Sequence, residues 1–202
     1  MELISLFSGA GGLDLGFHKA GFRTVTANEF DAKICPTFRA NFPEVNLIEG
    51  DIRDIPSCEF PDNITGIIGG PPCQGFSLTG PRNFDDARNK LYLAMIETVK
   101  RYAPSAFMIE NVPGMATLYK GEVKEEIIKR FTIMGYKVSY KILCSADYGV
   151  PQIRKRLVFI GLKDSNEAFE FPKPTHTPEN YITCEQAICE LPRLEDNVGS
   201  DV

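Results

Sequence analysis

The residues of this 202-residue chain best suited to chemistry fall in one short run, Gly69-Gly70-Pro71-Pro72-Cys73-Gln74-Gly75-Phe76-Ser77. Two prolines stiffen the backbone directly ahead of a thiol. The polar, glycine-bearing stretch that follows, as far as residue 88, has the length and composition of a closing loop. For an arbitrary cysteine a buried packing role is the ordinary account. A thiol in a rigid turn beside an adaptable loop suits a positioned nucleophile instead. Met108-Ile109-Glu110-Asn111-Val112 places an acid at the end of an apolar run, and Gln152-Ile153-Arg154-Lys155-Arg156 places cations ahead of another. Read as extended chain, the latter turns Gln152, Arg154 and Arg156 to one side and Ile153 and Lys155 to the other. A solvent-facing acid and a basic surface hairpin are the plainer accounts of these two stretches.

A second set of residues could hold a ligand. Phe7-Ser8-Gly9-Ala10-Gly11-Gly12 joins an apolar run to a helical one, where glycines let backbone approach a ligand at a helix N-terminus. Glu29 follows about twenty residues on, the separation at which a carboxylate meets ribose hydroxyls. Phe30 offers a ring to stack on adenine, and Asp51 an acceptor for its amino group. A surface acid, a core ring and a helix cap would be the bland alternatives. Three such residues at successive strand ends favour an adenosine pocket. The loop lacks both the phosphate-binding Gly-x-x-x-x-Gly-Lys pattern and the full Gly-x-Gly-x-x-Gly pattern, which favours an adenosine without a pyrophosphate.

These segments need a scaffold. Residues 2–7, 23–28, 45–48, 64–68, 105–109, 137–143 and 157–161 read as strands, and 13–20, 89–101, 122–134 and 184–191 as helices. Leu91, Met95 and Val99, and then Val123, Ile127 and Phe131, mark apolar helical faces. Gly135 is a plausible stop. Strand and helix in alternation predict an α/β fold, a doubly wound and mostly parallel sheet. Ligands bind such sheets outside the carboxyl ends of the strands. The glycine, Glu29, Asp51, Cys73 and Glu110 segments each follow a predicted strand.

Composition excludes several classes. None of the six cysteines forms a Cys-x-x-Cys pair and neither histidine has ligand spacing beside it, so no metal site or disulfide framework is expected. No apolar stretch approaches a membrane span, and the first residues lack the pattern of a signal peptide, so a cytoplasmic place is expected. The formal charge of −5 argues against a nucleic-acid surface, an argument that weakens if the basic surface is confined to one cleft or supplied elsewhere. Residues 171–178 are rich in proline and are expected to run extended.

Taken in order, Phe7-Ser8-Gly9-Ala10-Gly11-Gly12-Leu13-Asp14, Asn28-Glu29-Phe30, Gly50-Asp51-Ile52, Gly70 to Ser77, Glu110-Asn111-Val112 and Gln152 to Arg156 resemble the cytosine-C5 DNA methyltransferases of bacterial restriction-modification systems. The resemblance implies a Rossmann-like fold that uses S-adenosylmethionine and leaves S-adenosylhomocysteine. It implies a cofactor pocket of Phe7, Gly9, Gly11, Leu13, Glu29, Phe30, Asp51, Ile52 and Pro72. Cys73 would be the nucleophile, Glu110 the acid at the base, Arg156 its holder, and Arg154 an aid in fixing base and loop. Gln74, Ser77 and Arg88 would belong to the loop that closes over double-stranded DNA. Residues 1–163 would form the catalytic domain. Residues 164–202 would be a linker toward a target-recognition domain not contained in these residues, which a downstream polypeptide could supply. Two alternatives stay open: a tRNA cytosine-C5 methyltransferase, and a cofactor-binding subunit inactive without a partner segment.

Overall fold

The computed structural model describes residues 1–56, 59–72 and 90–191. Cys73, Gln74, Ser77 and Arg88 lie outside the described residues. Seven strands form one sheet: β1 (Glu2–Leu6), β2 (Arg23–Glu29), β3 (Asn46–Glu49), β4 (Gly66–Gly69), β5 (Ala106–Asn111), β6 (Tyr136–Cys144) and β7 (Lys155–Lys163), in the order β3-β2-β1-β4-β5-β7-β6. β1 pairs in parallel with both β2 and β4, β2 with β3, and β4 with β5. The order reverses at β1, between the connection to β2 and the crossover to β4. β7 inserts antiparallel beside β5. The sequence reading of a doubly wound, mostly parallel α/β sheet therefore holds.

The helices are α1 (Gly12–Lys19), α2 (Cys35–Asn41), α3 (Lys90–Tyr102), α4 (Glu122–Ile133) and α5 (Cys184–Ile188). α2 is too short to show an apolar period, and Pro36 sits in its first turn, where a missing N–H costs nothing. Residues 184–191 were expected as one helix, but only Cys184–Ile188 is helical, begun by a capping box between Thr183 and Gln186. Residues 152–154 precede β7 rather than belonging to it. The side-to-side alternation expected from Gln152 onward therefore does not apply to them, and all three are exposed.

The chain divides into two compact units, one of Met1–Ile142 with Arg156–Phe171 and one of Leu143–Lys155 with Pro172–Val202. In the first unit the main core joins Ile4, Leu6, Ile67, Phe107, Ile109 and Phe159 of the sheet to Tyr92, Met95, Ile96 and Val99 of α3 and to Val123, Ile127 and Phe131 of α4. The four-residue spacing seen in the sequence thus marks the buried stripes of both helices. A smaller cluster of Ala27, Phe38, Phe42 and Val45 seats α2. In the second unit the proline-rich segment is tied to a turn. The Asp147 carbonyl accepts the N–H groups of Thr175 and His176, and the Tyr181 hydroxyl reaches the Asp147 carboxylate at 2.5 Å. Among the described residues no helix is long and apolar enough to cross a membrane.

One close approach in the core is set by a glycine. Phe107 opposes Gly161 in the β5–β7 ladder, and a Cβ at Gly161 would fall 2.1 Å from the Phe107 ring. That ring packs against Phe131 and Tyr136, so it has nowhere to go. Gly161→Ala should lower unfolding stability by about 1–3 kcal/mol. Urea denaturation checks this, and an unchanged midpoint would contradict the packing described.

Candidate active site

Because β1 to β5 run parallel, their carboxyl ends share one edge. Hydrogen bonds stitch that edge together. The Ser8 N–H donates to the Asn28 carbonyl at 3.1 Å and the Gly50 N–H to the Glu29 carbonyl at 2.9 Å. The buried Asn28 amide spans the next gap, donating through Nδ2 to the carbonyls of Ile48 and Gly50 at 3.0 and 2.9 Å. The glycine loop turns sharply, with φ of 55° at Phe7, 56° at Gly9 and 89° at Gly11. Gly11 is needed for space as well, since a Cβ there would lie 2.3 Å from the Phe42 ring.

Glu29 reaches back into this loop. Its Oε2 accepts the Gly9 N–H at 2.7 Å, and its Oε1 accepts the Asp31 N–H at 2.8 Å. Each oxygen keeps a lone pair for a further donor. Phe30 is 71% exposed, which rules out the core-ring account and leaves its face free to stack. Asp51 is held by Arg53. Oδ1 accepts the Arg53 N–H at 3.0 Å and Nε at 2.8 Å, while Oδ2 takes a guanidinium N–H. Hydrogen bonding from Arg53 draws the Asp51 carboxyl down to about 2, so Asp51 stays an acceptor at ordinary pH. Leu13 is half-buried at the start of α1, and Ile52 is buried beside Asp51. Among the described residues the buried Ser8 hydroxyl in the glycine loop has no hydrogen-bond partner.

The second half of the edge carries Glu110. The antiparallel course of β7 sets Val158 opposite Glu110, so Arg156, two residues earlier, projects from the same face at the carboxyl end of β5. Arg156 Nε lies 2.5 Å from Glu110 Oε1, with both side chains about three-quarters covered. Gly70 sits against the other oxygen, where a Cβ would be 3.1 Å from Glu110 Oε2. Pro71 is buried and Pro72 exposed just before residue 73. Arg154 and Gln152 belong to the second unit and are exposed there.

The sequence reading missed several residues that hold this edge. Asn28, Arg53 and Asn111 act through their side-chain hydrogen bonds. Asp14, in the first turn of α1, is 1% exposed, and its carboxylate accepts the hydroxyls of Ser5 at 3.0 Å and Thr24 at 2.8 Å. It thereby joins α1 to β1 and β2 beneath the glycine loop. An acid in a first helical turn is the only signal the sequence offers, and that alone suggests a dipole partner rather than a buried clamp.

The chain matches the family described as C-5 cytosine-specific DNA methylase over residues 1–199. It is 48% identical over 195 residues to the Type II methyltransferase M.NgoPII of Neisseria gonorrhoeae, covering 95% of this chain and 57% of that protein. It is 42% identical over 221 residues to the Type II methyltransferase M.AquIA of a Picosynechococcus strain, covering 95% of this chain and 89% of that one. Among solved structures, a putative DNA modification methyltransferase encoded within an E. coli prophage superposes with a TM-score of 0.79 at 32% identity, over 96% of this chain and 56% of that one. The chain thus spans little more than half the length of two of these three proteins.

Asp14 gives the site a measurable pH signature. Burial pushes its carboxyl upward, against the opposing pull of the Thr24 and Ser5 hydroxyls. The folded chain then holds this proton more tightly than the unfolded one. The resulting stability is complete below the ordinary carboxylate range and is lost as pH rises through the folded value. As pH rises above the ordinary carboxylate range, the wild type should lose melting temperature relative to Asp14→Asn. A constant difference between the two over that rise would contradict the buried-carboxylate account.

Proposed function

The chain belongs to the C-5 cytosine-specific DNA methylase family, and on that premise we propose that it methylates C5 of a cytosine turned out of duplex DNA, with Cys73 as nucleophile. The observation that carries this reading is the Glu110–Arg156 pair. It stands at the carboxyl end of β5, against Gly70, three residues before the thiol.

The residues at the first half of the edge suit S-adenosylmethionine. Glu29 keeps acceptor capacity for ribose hydroxyls, the exposed Phe30 ring can stack on adenine, and Asp51 remains ionised to accept an amino group. Gly9 and Gly11 bring backbone close, with Phe7, Leu13, Ile52 and Pro72 as apolar neighbours. S-adenosylmethionine, when bound, supplies the electrophilic methyl group that an activated C5 can take up.

Cytosine C5 is too weak a nucleophile to react unaided. Addition of the Cys73 thiolate to C6 forms an S–C6 bond and drives the C5–C6 π electrons into the ring, which leaves C5 enamine-like. Glu110, protonated and oriented by Arg156, donates to N3 as charge collects there. After methylation, which leaves S-adenosylhomocysteine, a water molecule takes the C5 proton. The C–H electrons re-form the C5–C6 double bond, and the S–C6 bond breaks to restore the thiolate. C6 is hidden within stacked duplex, so the base must be extruded. Gln74, Ser77 and Arg88 would close over it, and Arg154 would help to hold it. Residues 1–163 would carry the catalytic domain, with 164–202 leading toward a recognition segment, and the enzyme would act in the cytoplasm. Coverage of 57% of M.NgoPII favours a second reading, in which this chain binds the cofactor but transfers methyl groups only when a further segment is supplied.

Transfer of tritiated methyl to duplex DNA, with the chain alone and with the downstream segment of a relative added, tests the proposal. Cys73→Ser should abolish incorporation while S-adenosylmethionine affinity by calorimetry is retained. Equal loss of both would make Cys73 a structural residue.

A further inference from the structure

The two prolines after β4 raise a backbone problem that one side chain resolves. β4 and β5 pair in register from Gly66 opposite Ala106 to Gly69 opposite Ile109. Beyond Gly69 neither Pro71 nor Pro72 has an N–H, so ladder bonding from this strand cannot continue by its own donors. Pro71 is nevertheless buried, and a buried carbonyl needs a partner. Asn111, 5% exposed at the end of β5, provides it, donating from Nδ2 to the Pro71 carbonyl at 3.0 Å. Its Oδ1 accepts the Val112 N–H at 2.9 Å. That second bond fixes the amide's orientation, since only the nitrogen end is left to face Pro71.

The neighbouring residues make this contact more than a local tie. Gly70 lies against Glu110 Oε2, and Glu110 immediately precedes Asn111. The segment Gly70-Pro71-Pro72 is therefore laid along the end of β5 by a glycine contact on one side and an amide hydrogen bond on the other.

We propose that Asn111 is a positioning residue, which sets the Gly70-Pro71-Pro72 arm, and with it the chain arriving at Cys73, relative to Glu110. The proposal rests on the reading of Cys73 and Glu110 as the reacting pair. Asn111 touches neither substrate nor cofactor in this account. It replaces a backbone donor that proline cannot supply, so rigidity ahead of the thiol is kept without losing registry to the acid.

Asn111→Asp is the sharpest probe. It keeps the side chain's shape and the acceptor for the Val112 N–H, but an ionised carboxylate offers Pro71 no donor and sets oxygen against oxygen. Asn111→Leu removes both bonds without adding charge. In the full chain, time courses of iodoacetamide alkylation followed by peptide mass spectrometry read each thiol separately. Cys184 and Cys189 are exposed and calibrate the reagent, while Cys35 and Cys144 are buried and report loss of the fold. In both variants the Cys73 rate should change by roughly threefold or more relative to Cys184 and Cys189, with Cys35 and Cys144 protected as in the wild type. A Cys73 rate inside that limit, or a general rise that includes Cys35 and Cys144, overturns the positioning role. Where the wild type transfers methyl groups, Asn111→Asp should lower kcat and leave the KM for S-adenosylmethionine unchanged. A wild type that transfers none, alone or with a relative's downstream segment added, contradicts the proposed function instead, and alkylation still decides the role of Asn111.

Discussion

Parallel pairing of β1 with both β2 and β4 is the constraint on which the rest of this structure depends. With β3 and β5 also parallel to their neighbours, β1 to β5 are joined by crossover connections and all end at the same edge. The glycine loop, Glu29, Asp51, the double proline and Glu110 then meet because of topology, although they are spread over more than half of the chain. The antiparallel β7 adds the one element that a purely parallel sheet could not. By running the other way, it delivers Arg156 at its beginning to the place where β5 finishes.

Backbone at such an edge would lose its ladder partners, and the structure replaces them with side chains. Asn28 bridges two carbonyls near the end of β3, Glu29 receives an N–H from the glycine loop, and Asn111 takes the carbonyl that follows Gly70. Each bond adds only about 0.5–1.5 kcal/mol net, but leaving a buried group unpaired costs about 1–3 kcal/mol. That asymmetry makes the edge stiff where a ligand would need it. Glu29 illustrates the economy of the arrangement: one carboxylate holds the loop and still has lone pairs to offer.

Much of this was legible in the sequence, for definite reasons. Helices α3 and α4 announce themselves through Leu91–Met95–Val99 and Val123–Ile127–Phe131, because four-residue spacing survives in any context that buries one face. The strand ends were legible through Gly9, Gly11 and Pro71-Pro72, where backbone chemistry restricts residue choice. Asp14 and Asn111 were not, because their importance comes from partners ten or forty positions away that no local pattern reveals. The short α2 escaped a reading by periodicity; the last strand was expected from residue 157 whereas β7 begins at Lys155, and the alternation read from Gln152 onward does not hold over residues 152–154. Phe30 shows the reverse case: composition alone allowed a core ring, and only its exposure separates the two accounts.

The central claim is that the thiol following Pro72 attacks the base. Incubating the chain with S-adenosylmethionine and a duplex carrying 5-fluorocytosine in varied sequence contexts tests it most directly, because fluorine at C5 blocks the final elimination. The account predicts a denaturation-resistant protein–DNA adduct, formed by this chain alone or once a relative's downstream segment is added, and absent in Cys73→Ala. Failure to form an adduct under either condition, or an adduct that persists in Cys73→Ala, would contradict it.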